Sequence, residues 1–381
     1  MEKKLKKVNN KKKKDQRSQR LKKAVLLLTV GVFLIISVVY LGIKFLDEAG
    51  LFREDVSINF SPNTNAYGFS FNNIYYYSTL DGLKSTNHKG KEIKIDETLD
   101  ISALVRGMLE PIFLKSDKTA IVFDSGGKTA VLFNTDGIIK AFSFDREIIN
   151  AKVAASGKFL FILSDSGAKA VVRAYDPTGF ELFYWYSGAG YVVDAMLNNS
   201  KNTMAVITNE AKDGSITSKI SFFDLNQSEP FLQKAISNTV CSYLSYTKDG
   251  CMVVCDDGVY FVTDAGMLER VMDFSNKIVR EFKSFTNGEL LICCENQDNQ
   301  SYTIEVLNTK GRRIKKFPIK AFDRITDISS DRFLVVKRKE IISYSKGGRV
   351  MKTIPSEFEI RSASYFNNRV SILGNDSLSM K

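Results

Sequence analysis

Residues 149–186 read INAKVAASGKFLFILSDSGAKAVVRAYDPTGFELFYWY. Four short runs rich in β-branched and aromatic residues stand out: Ile149–Ala155, Lys158–Leu163, Ala170–Tyr175 and Glu181–Tyr186. Ser156-Gly157, Ser166-Gly167 and Pro177-Thr178-Gly179 separate them. Runs of this length and composition, bounded by turn residues, are strands. The second and third runs are apolar almost throughout, so the sheet they build has two buried faces. Such a sheet cannot bury both faces alone and requires neighbours on each side.

The neighbours are written in the same chain. One kind of turn precedes an apolar strand at Asn72-Asn73, Ser116-Asp117-Lys118, Ser156-Gly157-Lys158, Asn199-Ser200-Lys201, Lys248-Asp249-Gly250, Thr286-Asn287-Gly288, Ser330-Asp331-Arg332 and Asn367-Asn368. A second kind follows a later strand and carries Gly90, Gly137, Gly179, Gly266, Gly311 and Gly348. Gly90, Gly137 and Gly179 lie 47 and 42 residues apart, and Gly266, Gly311 and Gly348 lie 45 and 37 apart. A period in the low forties with four strands per unit is the signature of propeller blades. Radial packing of blades buries both faces of each sheet and leaves only short edges. The expected fold is therefore all-β, a seven-bladed propeller. Phe358–Leu373 is left over, to complete the first blade or to belong to an eighth.

Upstream, residues 24–43 read AVLLLTVGVFLIISVVYLGI, without a charge. A twenty-residue helix spans about 30 Å, the thickness of a bilayer core. Residues 1–23 hold twelve Lys and Arg against two acids. That asymmetry predicts a cytoplasmic start, one transmembrane helix and an outer domain. The expected layout is a basic cytoplasmic tail at 1–23, a membrane helix at 24–46 in contact with the lipid bilayer, a linker at 47–56 and an extracytoplasmic propeller at 57–381. The formal net charge is +11, of which the first 23 residues supply +10. The remainder nets +1, which argues against nucleic acid as a partner.

Little catalytic chemistry is visible. His88, the single histidine, sits in a turn, which leaves no base for a Ser-His-Asp or Cys-His arrangement and few ligands for zinc. Ser125-Gly126-Gly127-Lys128 and Ser166-Gly167-Ala168-Lys169 resemble a serine nucleophile with a lysine base. They lie 41 residues apart, so the repeat itself explains them. No metal and no cofactor is expected.

Asp124, Asp165, Asp256, Asp257 and Asp298 fall in hairpins between the second and third strands of their blades. Such hairpins share one rim, where the carboxylates would meet a cation, a sugar or a basic peptide. Aspartate also belongs in turns because its side chain bonds nearby backbone. Tyr184 and Trp185, the latter the single tryptophan, lie in the outermost run quoted above. They would anchor a partner or pack between blades. Cys241, Cys251, Cys255, Cys293 and Cys294 lie on strands of two neighbouring blades. They read as buried hydrophobes, with a possible disulfide from Cys241 to Cys251 or Cys255.

The architecture, with its Ser/Asn-x-Lys and Asp/Lys-Gly turns, resembles an uncharacterised family of single-pass, membrane-anchored β-propeller proteins from low-GC Gram-positive anaerobes. More distantly the repeat is similar to quinoprotein-like and WD-like propellers. The resemblance implies a propeller of unknown function and carries over no catalytic residue. The function expected is a non-catalytic binding or scaffolding module at the cell envelope, holding an envelope protein or a wall polymer. The alternative is an envelope glycan hydrolase or lyase with Asp124 and Asp165 as its carboxylate pair.

Overall fold

The computed structural model describes residues 29, 31–42, 55–63, 66–95, 105–135, 137–167, 169–367 and 369–381. The chain divides into two units, Met1–Asp55 and Val56–Lys381.

In the first unit the described helical residues are Thr29 and 31–42. Among the described residues no helix is long and apolar enough to cross a membrane. The expected single-pass membrane localisation, with its cytoplasmic start and outer propeller, is overturned on this ground. Residues 24–28, 30 and 43–46 of the expected span, and the basic tail, lie outside the described residues.

The second unit is a propeller of eight sheets. Blade 1 has three described strands, Gly68–Phe71, Ile74–Thr79 and Gly82–Thr86. Blades 2 to 7 are four-stranded antiparallel sheets over 111–143, 148–187, 191–237, 241–273, 277–319 and 324–355. Blade 8 combines Ser362–Phe366, Arg369–Leu373 and Ser377–Met380 with Val56–Asn59 from the other end of the domain. Val56 pairs with Met380 and Asn59 with Ser377, so the first strand closes the ring on the last.

The expected count of seven is corrected to eight. The C-terminal remnant is a full blade whose outermost strand lies some 300 residues upstream. A reading of successive turns misses a sheet assembled from both ends. The blade read from residues 149–186 forms as expected, with strands Ile148–Val153, Phe159–Leu163, Ala170–Tyr175 and Glu181–Ser187.

The middle strands of each blade supply the core. All five residues of Phe159–Leu163 are buried, as are all five of Cys251–Cys255. The buried apolar residues fall into eight clusters, and each joins two adjacent blades. One packs Leu160, Ile162 and Val172 of blade 3 on Ala195, Val206 and Phe223 of blade 4. Another seals the ring, with Tyr75 and Tyr77 of blade 1 on Leu373, Leu378 and Met380 of blade 8. Cohesion is therefore between sheets, which is why the inner runs show no polar alternation.

The repeating glycines make the same joint. Gly348 has φ +90°, and a Cβ there would lie 2.5 Å from the Phe317 ring of the preceding blade. Gly311 meets Val271, Gly266 meets Lys234 and Gly179 meets Leu132 in the same way, all at positive φ. The turn bends left-handed and presses on its neighbour, and both demands select glycine.

Candidate binding site at the mouth of the channel

The innermost strands of the eight blades run in one direction, so their ends gather around the axis of the ring. There they wall a cavity of about 430 Å³, with residues from blades 2 to 7. Lys115, Lys152 and Lys283 line it together with Asn150, Ser245 and Tyr243. Leu114, Met196 and Phe282 supply apolar wall.

One buried ion pair organises this mouth. Lys152 Nζ of blade 3 lies 2.9 Å from Asp194 Oδ2 of blade 4, whose side chain is 1% exposed. The same Oδ2 accepts the Leu244 N–H of blade 5 at 2.8 Å. Lys152 also lies over the Tyr243 ring, 4.0 Å from its centroid. Tyr243 in turn shares a 2.6 Å hydrogen bond with Ser284 of blade 6. Four blades are thus tied by one network. Burial alone would lower the Lys152 ammonium, but the Asp194 carboxylate beside it holds it above the ordinary lysine value.

The device repeats. Glu281 Oε2 accepts the Ile325 N–H of the next blade at 2.6 Å. Asp327 accepts the Tyr365 N–H of blade 8 and pairs with Lys115 of blade 2 at 2.9 Å. Lys115 also reaches Ser70 O and Ser70 Oγ, each at 3.2 Å, which occupies its three N–H donors. A carboxylate on or just past one inner strand, accepting from the next inner strand, satisfies backbone donors that the sheets leave facing the axis.

A model of a family of unknown function, DUF5711, matches residues 54–379. The chain belongs to this family. No curated protein matches it. Among solved structures, the C-terminal WD40 domain of Sif2 superposes with a TM-score of 0.50 at 10% identity, over 86% of this chain and 98% of that one. A eukaryotic initiation factor gives 0.49 at 11% identity, over 83% and 81%. BamB from Moraxella catarrhalis gives 0.40 at 12%, over 86% and 97%. The Sif2 likeness shows the propeller fold.

In this DUF5711 propeller the carboxylates singled out from the sequence lie on the rim opposite the cavity. Four of the five have local work for their carboxylates. Asp124 Oδ1 accepts the Leu109 and Glu110 N–H groups at 3.0 and 2.8 Å, closing the entry into its own blade. Asp165 pairs with Arg146 and accepts the Gly167 N–H at 2.9 Å. Asp256 accepts the Val240 N–H at 3.1 Å. Asp257 accepts the Tyr260 hydroxyl at 2.7 Å and faces Arg270 at 3.5 Å. Asp298 donates its own N–H to Asn296 at 2.9 Å. Among the described residues no group of three or more His, Cys, Asp or Glu could hold a metal ion.

Trp185 and Tyr184 lie on the outermost strand of blade 3 and do not line the cavity. Trp185 packs on Phe223 of blade 4 with centroids 5.0 Å apart, and Tyr184 is exposed with its edge on Tyr186. Cys241 and Cys255, opposite each other in blade 5, form the disulfide; Cys251, Cys293 and Cys294 are buried free thiols.

Lys152, Asp194 and Lys283 were not singled out from the sequence. The available signal was a charge inside an apolar inner strand, as in Val192-Val193-Asp194-Ala195-Met196. A burst of charge was also present: residues 310–352 hold fourteen Lys and Arg against four acids. Lys315, Lys320, Arg349 and Lys352 of this stretch are exposed, with no acidic partner among the described residues. Lysine and Pro318 on an outermost strand also guard its open edge against pairing with other chains.

Proposed function

We propose that this propeller is a non-catalytic binding module that holds an extended segment of a partner protein over the mouth of the channel. One observation carries the reading: a cavity of about 430 Å³ whose wall comes from six blades. That volume lies in the range of ligand sites, and its lining mixes apolar wall with a few convergent polar groups. The wall is rigid, because the inner strands that build it are tied to each other by Asp194, Glu281 and Asp327. A rigid, preformed mouth costs little ordering when a partner arrives.

The local chemistry favours holding over reacting. Asp194 and Asp327 are committed to ion pairs and backbone donors, and Asp124 and Asp165 to turns. A glycan-cleaving pair needs one carboxylate free to move a proton and one free to attack or to activate water.

A photo-crosslinking residue at Thr286, on the cavity wall, tests the reading in cells. A discrete adduct at Thr286, absent with the probe at Asp298 on the opposite rim and abolished by Asn199→Trp in the mouth, is the expected result. An adduct only at Asp298, or one indifferent to Asn199→Trp, would overturn it.

A further inference from the structure

We propose that the mouth of the channel recognises an oxyanion, a carboxylate or phosphate, held between Lys152 of blade 3 and Lys283 of blade 6; this rests on the binding reading above. The two lysines occupy equivalent places. Lys152 lies two residues before Ala154, whose N–H opens the first turn of blade 3 toward Lys158 O. Lys283 lies two residues before Phe285, whose N–H does the same in blade 6 toward Glu289 O. They therefore stand at one height, on walls three blades apart, and both line the cavity.

The hydrogen-bonding inventory is lopsided. Lys152 gives one N–H to Asp194 and rests over the Tyr243 ring, which leaves donor capacity unspent. Lys283 is half exposed, and its nearest acid, Glu281, is 3.7 Å away. Asn199 uses its carbonyl oxygen on the Ala155 N–H at 2.7 Å, and its amide NH₂ has no protein acceptor among the described residues. The acid that balances Lys152 is sealed behind the wall, with Asp194 1% exposed. Among the described lining residues the one carboxylate is Asp117, on the exposed rim. A cavity lined by three lysines and one rim carboxylate is complementary in charge to an anion, and charge-assisted bonds are the strong ones. Tyr243 and Phe282, in ring contact 4.8 Å apart, offer apolar wall to whatever carries the anion.

Titration calorimetry with three probes tests this: capped triglutamate, capped triglutamine and free glutarate. Triglutamate is expected to bind, triglutamine not, and added salt to weaken the binding. Lys283→Ala should cost about tenfold in affinity. Lys152→Met paired with Asp194→Asn, which keeps an acceptor for the Leu244 N–H, should cost at least as much with the fold retained by circular dichroism. Lys315→Ala with Lys352→Ala on the basic outer strands should leave affinity unchanged. Glutarate binding as tightly as triglutamate supports the oxyanion and assigns it to a small free anion, which overturns the peptide segment alone. Equal binding of triglutamine, no loss in Lys283→Ala, or a loss confined to the outer-strand variant would overturn the proposal. A Thr286 adduct that forms while triglutamate fails would overturn the oxyanion and leave the binding reading standing.

Discussion

The N–H of Leu244 in blade 5 points into the carboxylate of Asp194 in blade 4, 2.8 Å from Oδ2, while Lys152 of blade 3 holds the same oxygen at 2.9 Å. One buried acid thereby sets the spacing of three inner strands. Its removal takes away the carboxylate partner of the Lys152 ammonium and of the Leu244 N–H.

Asp194→Ala is expected to destabilise the domain by about 3–5 kcal/mol, the cost of breaking a buried ion pair from one side. Asp194→Asn retains an acceptor for Leu244 and should cost less. Guanidinium unfolding of the two variants checks the order. Equal losses would mean that the Leu244 bond contributes nothing.

Val56 and Ile58 lend their side chains to the cluster that joins blades 8 and 1. Replacing both by Ser should cost roughly 2 kcal/mol, given their partial burial. Amide exchange should accelerate first at Ser377–Met380, the strand they cover. Uniform acceleration in every blade would show that the ring does not depend on this closure.

Gly126 and Gly348 separate strain from contact. Both have positive φ, +76° and +90°, but a Cβ at Gly126 meets nothing within 4 Å, whereas at Gly348 it meets the Phe317 ring. Gly126→Ala should cost about 1–2 kcal/mol for the left-handed backbone alone. Gly348→Ala should cost roughly 1–3 kcal/mol more through overpacking. Thermal unfolding of the pair reads the difference, and equal midpoints would remove the inter-blade role assigned to the repeating glycines.

Glu305, 1% exposed in blade 6, faces Lys277 at 3.0 Å, Arg313 at 3.0 Å and Lys316 at 3.8 Å. Burial alone would raise its carboxyl, but hydrogen bonds from Lys277 and Arg313 hold it below the ordinary glutamate value. The native state then binds fewer protons than the unfolded chain between the two values. Stability from this group is present above the unfolded value and is lost as pH falls through the native one. Unfolding curves across that acid range should flatten in Glu305→Gln. An unchanged acid limb would place the sensitivity elsewhere.

Much of the fold was legible because each blade is a local object. The four runs in 149–186, the turns between them and the absence of polar alternation all follow from a sheet buried on two faces. The site was less legible. Asp124, Asp165, Asp256 and Asp257 drew attention because acids in adjacent hairpins share a rim, yet each is used by backbone or side chains within a few residues or in its own blade. Lys152, Asp194, Leu244 and Ser284 are spread over 133 positions and carry no motif.

Strand chemistry, turn glycines and the period near forty specified a radial array of sheets, because these are short-range choices that the chain makes one residue at a time. The number of blades was decided in three dimensions, where Val56–Asn59 finds Ser377–Met380 and closes the circle. So was the binding mouth, because a ring brings to its axis the ends of strands that lie far apart along the chain. There the loss of water makes an otherwise ordinary aspartate and lysine govern the spacing of their neighbours.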